Sequence, residues 1–326
     1  MYSLIASIGL AFTLPLLSSA WIKSPVAGPI RGFNYDSTTA DDFRTRFTTA
    51  YKLAGVEGGF NSARLYTMIA PGASAANPAP LLDVFQPAID TKTSLLLGLY
   101  CSAGDAAFNN ELSALKTALG QYGDSFKDLV VGISVGSEDL YRTSVKGTPM
   151  DNGAGDSVDN IKRYIGLVRQ ILVADGRGFD KTIPVGHVDT WQIWQDPTAA
   201  GALISTVDFI GLDGYPYWQN ASADDVGAFT DGLAAVTNTA NNQGGVPVWV
   251  TETGFPNAGD TRGPAVPSTA NAAIFWQNIG CQQLFGKVST WWYILSDGPA
   301  APGKPSFGIT DAATNVNAMF DLKCGS

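Results

Sequence analysis

The feature that most limits the fold of this chain is a rhythm of short apolar runs alternating with longer stretches of helical periodicity. The runs are IRGFNY (30–35), SARLYT (62–67), SLLLGLY (94–100), LVVGISVGSE (129–138), IPVGHVD (183–189), DFIGLD (208–213), VPVWVTE (246–252) and VSTWWYIL (288–295). They are nearly continuously apolar, as parallel strands covered on both faces are. Helix-like segments fall between them: Asp41 to Gly55, Asp105 to Gly123, Asp156 or Ser157 to Gly176, and Ser268 or Thr269 to Gly286. In the second, Phe108, Leu112, Leu115 and Leu119 recur at three-to-four spacing. Asp and Ser suit helix starts and Gly suits helix stops. Eight such strands predict an α/β fold, a single-domain (β/α)8 TIM barrel. An open doubly wound sheet is the alternative.

The first twenty residues, MYSLIASIGLAFTLPLLSSA, are apolar and close on Ser18-Ser19-Ala20. Small residues there suit cleavage before Trp21, so 1–20 is read as a signal peptide and 21–326 as the folded domain. The unbroken apolar stretch is shorter than the roughly 20 residues a span requires, and Pro15 interrupts it. No later stretch is expected to span a membrane, and FDLKCGS at the end lacks a lipid-anchor tail. The expected location is therefore extracellular, as a secreted or cell-wall protein. A net charge of −9 argues against nucleic acid as a partner, which needs a basic face. One histidine, His187, and no CxxC argue against a metal site, and the glycine-rich DNGAGD (151–156) lacks GxGxxG spacing, so no cofactor is expected. Of three cysteines, Cys281 and Cys324 can staple the C-terminus by a disulfide, leaving Cys101 as a buried thiol. Asn220-Ala221-Ser222 is a glycosylation sequon.

A barrel carries the C-terminal ends of its strands to one rim, where active sites sit. Strand four ends on Glu138 and strand seven on Glu252. One such glutamate is commonly an ion-pair partner. Two at one rim suffice to cleave a glycosidic bond, one protonating the leaving oxygen and the other attacking the anomeric carbon or activating water. The acid needs a raised pKa while its partner stays ionised. Other strand ends carry Tyr35, Arg64, Tyr66, Tyr100, Asp189, Trp191, Asp213, Tyr215, Tyr217, Trp218, Trp292 and Tyr293. Aromatic faces with polar tips suit sugar rings. Arg64, the one cation among them, is expected to orient Glu252. Of the adjacent Trp291 and Trp292, one is expected to face inward and one the helices.

VGSED (135–139), DGYPYW (213–218) and VTETGFPNAG (250–259) together resemble glycoside hydrolase family 17, which contains β-1,3-glucanases and glucanosyltransferases of plants and fungi. The likeness extends through GFNYD (32–36), ARLYT (63–67) and GKPSFG (303–308), and looks closer to the fungal cell-wall branch. It implies a retaining mechanism on a barrel with its catalytic residues on strands four and seven. Glu138 would be the acid/base and Glu252 the nucleophile, with Tyr215 bonded near it. Tyr35, Arg64 and Tyr66 would line the floor, and Ser137, Asp213, Tyr217 and Trp292 would also contact substrate. Asp213 stands where many relatives have Asn, and Ser137 where much of the wider clan has Asn. The implied substrate is β-1,3-glucan, acted on by a monomer, with water or a second glucan accepting the glycosyl unit. A non-catalytic glucan-binding wall protein on the same barrel is the rival, although such barrels usually lose a catalytic residue and both glutamates are present here.

Overall fold

The computed structural model describes residues 28–37, 42–71, 81–145, 147, 154–174, 183–298 and 302–325. The segment read as a signal peptide lies outside them, as do residues 151–153 of the glycine-rich stretch. The expected runs become β1 (Arg31–Tyr35), β2 (Ser62–Leu65), β3 (Ser94–Leu99), β4 (Val130–Ser137), β5 (Val185–Thr190), β6 (Ile210–Asp213), β7 (Val248–Thr253) and β8 (Thr290–Trp292). Each pairs in parallel with the next, and β8 pairs with β1, giving a closed eight-stranded barrel. Closure excludes the open doubly wound sheet.

Around it run α1 (Phe43–Tyr51), α2 (Phe85–Thr91), α3 (Gly104–Lys127), α4 (Asp139–Thr143), α5 (Val158–Ala174), α6 (Trp191–Trp194), α7 (Pro197–Ile204), α8 (Val226–Asn242) and α9 (Thr269–Phe275). Four of these fall where periodicity placed a helix. Asp42 caps α1 by accepting from Arg44 N–H, and Ser268 caps α9 by accepting from Asn271 N–H. Two endings differ from expectation. Gly123 breaks α3 with φ 57°, yet the helix resumes to Lys127 because Phe126 is buried beneath it. Beyond α9 the chain winds into a π-helical stretch, Trp276–Leu284. None of the described helices is long and apolar enough to cross a membrane.

The strand pleat divides the core in two. Inside the barrel, Ile30, Leu96, Val131, Phe209, Trp249 and Trp291 form a plug drawn from the early parts of the strands. Phe209 and Trp249 stack there at 4.1 Å between centroids. The larger cluster fills the space between strands and helices. Trp291 points inward and donates its indole N–H to Ser62 Oγ at 3.1 Å. Trp292 points outward among Phe275, Trp276 and Phe285. With the plug low in the barrel, the upper interior is left for polar side chains.

Cys281 and Cys324 are disulfide-bonded across a sequence separation of 43, and Cys101 is free and buried. Hydrogen bonds also tie the tail down: Trp276 Nε1–H donates to Leu322 O, and Gln277 Nε2 to Asp321 O and Lys323 O. A loop of this size implies about 3–4 kcal/mol of cross-link stabilisation. The Cys281→Ser/Cys324→Ser protein should therefore unfold at clearly lower denaturant. An unchanged midpoint would mean that the tail's hydrogen bonds suffice.

Candidate active site

Both rim carboxylates follow an irregularity in their strand. Along β4, Ser134 pairs with Gly186 and Ser137 with Val188, so β4 holds one extra residue there. Gly136 takes φ 80°, and a Cβ on it would stand 2.2 Å from Asp139 Oδ2 and 2.6 Å from Cys101 Sγ, so the position requires glycine. Glu138 is itself left-handed, at φ 57° and ψ 24°, a conformation uncommon for non-glycine residues and frequent at active sites. Its N–H donates to Val188 O, and α4 starts at the next residue. Asp189 on β5 secures that turn by accepting from Leu140 N–H (3.0 Å) and Tyr141 N–H (3.4 Å). His187 stands behind it, Nε2 lying 3.3 Å from Asp189 Oδ2.

β7 also carries an extra residue. It registers Val250 and Glu252 against Leu212 and Asp213, and Val250 and Thr253 against Thr290 and Trp292. Strict alternation from the inward Trp249 would turn Glu252 to the helices. The bulge lets both Thr251 and Glu252 reach the interior, where Thr251 Oγ1 donates to Asp213 and Glu252 meets Arg64.

Arg64 organises this layer. Only 1% of its side chain is exposed. Nη1 donates to Glu252 Oε1 at 2.6 Å and to Asn34 Oδ1 at 2.9 Å, while Nη2 donates to Ser137 Oγ at 2.9 Å and lies 3.8 Å from Asp213 Oδ2. Asn34 is fixed in turn, its Nδ2 donating to Thr251 O and Trp291 O. Two phenols complete the hold on Glu252: Tyr66 donates to Oε1 at 2.7 Å and Tyr215 to Oε2 at 2.6 Å. Burial, reinforced by the Glu252 charge, raises both phenol pKa values, so they stay donors.

Glu138 is placed differently. Among the described residues its carboxyl accepts no hydrogen bond. Arg142 Nη1 lies 4.0 Å off, and that guanidinium is engaged by Ser137 O, Ser102 Oγ and Ala154 O. Burial first, then the charges of Glu252 and Asp189, push the Glu138 pKa up to about 8. Asp213 is raised too, by burial and then by Glu252. Its Oδ1 accepts from Thr251 at 2.7 Å, and its Oδ2 has no hydrogen-bond partner. The site thus pairs an anion held by three donors with a carboxyl that keeps its proton near neutrality.

Both glutamates open on a cleft of about 1290 Å³, together with Tyr66, Asp213 and Tyr215. Arg64 and Ser137 lie beneath, acting through Glu252 and each other. Three expected contacts are corrected. Tyr35 faces the helices, edge-on to Phe47 at 5.0 Å, because it alternates with the inward Asn34. Trp292 is outward for the same reason, as described above. Tyr217 is buried under the rim, its hydroxyl donating to Asp260 O at 2.7 Å. Tyr293, Trp191 and Trp218 line the cleft instead. Trp218 is 40% exposed and carries the Arg262 guanidinium over its ring at 5.0 Å. The far wall, built from Asp297, Lys304, Pro305 and Phe307 with Asp311–Thr314, had no strand signal to announce it. Its loop is knit by Asp297, which accepts from Phe307 N–H and Ser306 Oγ. The sequon residue Asn220 is exposed, at φ 60°. Among the described residues no cluster of His, Cys, Asp and Glu could hold a metal ion.

The "Probable glucan endo-1,3-beta-glucosidase eglC" of Aspergillus niger is 43% identical over 302 residues, covering 90% of this chain and 63% of that protein. Its namesake from Aspergillus fumigatus is 44% identical over 306 residues, covering 91% and 66%. The chain spans about two thirds of the length of these relatives. Among solved structures, an active-site mutant of Rhizomucor miehei β-1,3-glucanosyltransferase in complex with laminaritriose matches with a TM-score of 0.64 at 19% identity, covering 86% of this chain and 92% of that one. An endo-laminarinase from Formosa matches with a TM-score of 0.62 at 13% identity, covering 86% and 82%. These two likenesses speak for the fold. The model of the BtgE/BtgC glycoside hydrolase domain matches residues 32–305, and the chain belongs to that family.

Proposed function

We propose that this protein is a secreted, retaining β-1,3-glucan-active glycoside hydrolase of family 17 that remodels cell-wall glucan. The observation that carries the reading is the contrast between the two carboxylates facing one cleft: three donors hold Glu252, whereas Glu138 takes none and its pKa is pushed up to about 8. The names of the curated relatives support the β-1,3-glucan substrate, and the first twenty residues support secretion.

In this reading Glu252 attacks the anomeric carbon. Oε1 already takes Arg64 and Tyr66 while Oε2 takes only Tyr215, so Oε2 is the oxygen with lone-pair capacity to spare. Glu138 gives its proton to the departing glycosidic oxygen as the C–O bond breaks, leaving a glycosyl ester on Glu252. Glu138, now a carboxylate, takes a proton from water or from a sugar hydroxyl. That oxygen attacks the same carbon and releases Glu252.

A product ladder tests this. The protein is incubated with one linear β-1,3-gluco-oligosaccharide and product masses are followed. Shorter products alone mean that water accepts, and longer ones mean that sugar accepts. No turnover at all would sink the reading. The pH profile has a worked sign. Glu138 must be protonated to donate, and it is protonated below about 8, so kcat/KM should hold as pH rises toward 8 and fall above it. Glu138→Gln should lower kcat about 10²–10⁴-fold and abolish that limb. Arg64→Met should destabilise the protein by about 3–5 kcal/mol in denaturant unfolding, because it strands the buried Asp213 carboxyl and the partly buried Glu252.

A further inference from the structure

A second groove, of about 500 Å³, lies on the outer ring between α6, α8 and the 3-10 turn Pro216–Gln219. It shares Trp191 and Gln192 with the catalytic cleft and so borders it. α6 contributes Gln192 and, at its C-terminal cap, Gln195, the turn contributes Gln219, and α8 contributes Asp231 beside its cap Asp225. The floor is shaped by the Trp191 ring, which α8 can approach only because residue 232 is glycine: a Cβ there would stand 2.6 Å from the ring.

The lining selects a class of ligand. Gln195, Gln219 and Asp231 are exposed, and none of the amides of Gln192, Gln195 and Gln219 makes a hydrogen bond with its side chain among the described residues. Each amide offers donors and an acceptor, and each carboxylate accepts. No lysine or arginine lines the groove. That set suits a neutral polyhydroxylated chain and disfavours an anionic one. Its position matters too. Trp191 and Gln192 follow β5, next in the barrel to β4 and to Glu138, the group that meets the leaving oxygen in the functional reading.

We propose that this groove is a distal binding site for neutral β-glucan, holding the chain that leaves or accepts as it runs out of the cleft past Trp191. The proposal rests on the functional reading above and extends it. Short oligosaccharides occupy the cleft alone, and only long chains reach the groove.

The test is a binding comparison in protein made inactive by Glu252→Gln, with and without Gln195→Ala/Gln219→Ala, both exposed positions outside the cleft. Laminaritriose and a long soluble β-1,3-glucan are titrated calorimetrically. The expected result is equal affinity for the trisaccharide in both proteins and about tenfold weaker binding of the long chain by the triple variant, the scale of one to two lost hydrogen bonds. Trisaccharide binding with long-chain affinity unaffected by the alanines would overturn the groove and leave the functional reading standing. If neither ligand binds either protein, the functional reading fails and the groove's ligand fails with it.

Discussion

The buried guanidinium of Arg64 is the interaction on which the rest of the upper barrel depends. A cation withdrawn from water is tolerated only where acceptors replace its hydration. Here they come from several strands at once: Asn34 on β1, Ser137 on β4 and Glu252 on β7, with Asp213 on β6 nearby. The group therefore fixes how strand ends sit relative to one another. A buried ion pair of this kind contributes little net stability compared with apolar packing. Its value lies in orientation, because a carboxylate gripped by a guanidinium and two phenols has one pose.

The contrast between the two glutamates follows from where the chain supplies donors. Glu252 stands where the ends of β2 and β6 bring three donors to bear. Glu138 stands on an elbow whose hydrogen bonds are spent on the backbone, through Asp189 below and Arg142 alongside. Its carboxyl is left with desolvation and two negative neighbours, so it holds its proton. Asp213 extends the same logic to a third carboxyl. One oxygen is served by Thr251, and the other is buried without a hydrogen bond, its nearest cation the Arg64 guanidinium at 3.8 Å, beside the Glu252 charge.

The walls of the cleft obey a different rule. They are loops and short helices stapled onto the barrel by local bonds, such as the Asp297 network and the Tyr217 hydroxyl on Asp260 O. Arg262 over Trp218 keeps an aromatic face at the rim where water would otherwise disfavour it. Such walls can vary without disturbing the Arg64 layer, which allows one barrel to accept different chains above the same pair of carboxylates.

The sequence by itself determined the barrel and its two rim glutamates. Eight apolar runs with helical stretches between them leave few other ways to bury both faces of each strand, and Glu at the end of two such runs is carried to the level of the mouth, whichever way it then points. It also determined the role of Arg64 as the partner of Glu252, since one cation among inner strand ends must find an anion. What only the tertiary structure decided is which way each side chain points. Alternation is legible in a regular strand, and it separates Asn34 from Tyr35 and Trp291 from Trp292 once one of each pair is anchored. The anchors themselves are contacts between residues far apart in the chain: Asn34 on Thr251 O, and the Trp291 indole on Ser62. The bulges in β4 and β7 then shift the phase at the very residues that matter, and a bulge is a register between two strands that no single run of sequence records. The far wall and the groove beyond Trp191 were hidden for the same reason, because each is assembled from segments brought together only when the barrel closes.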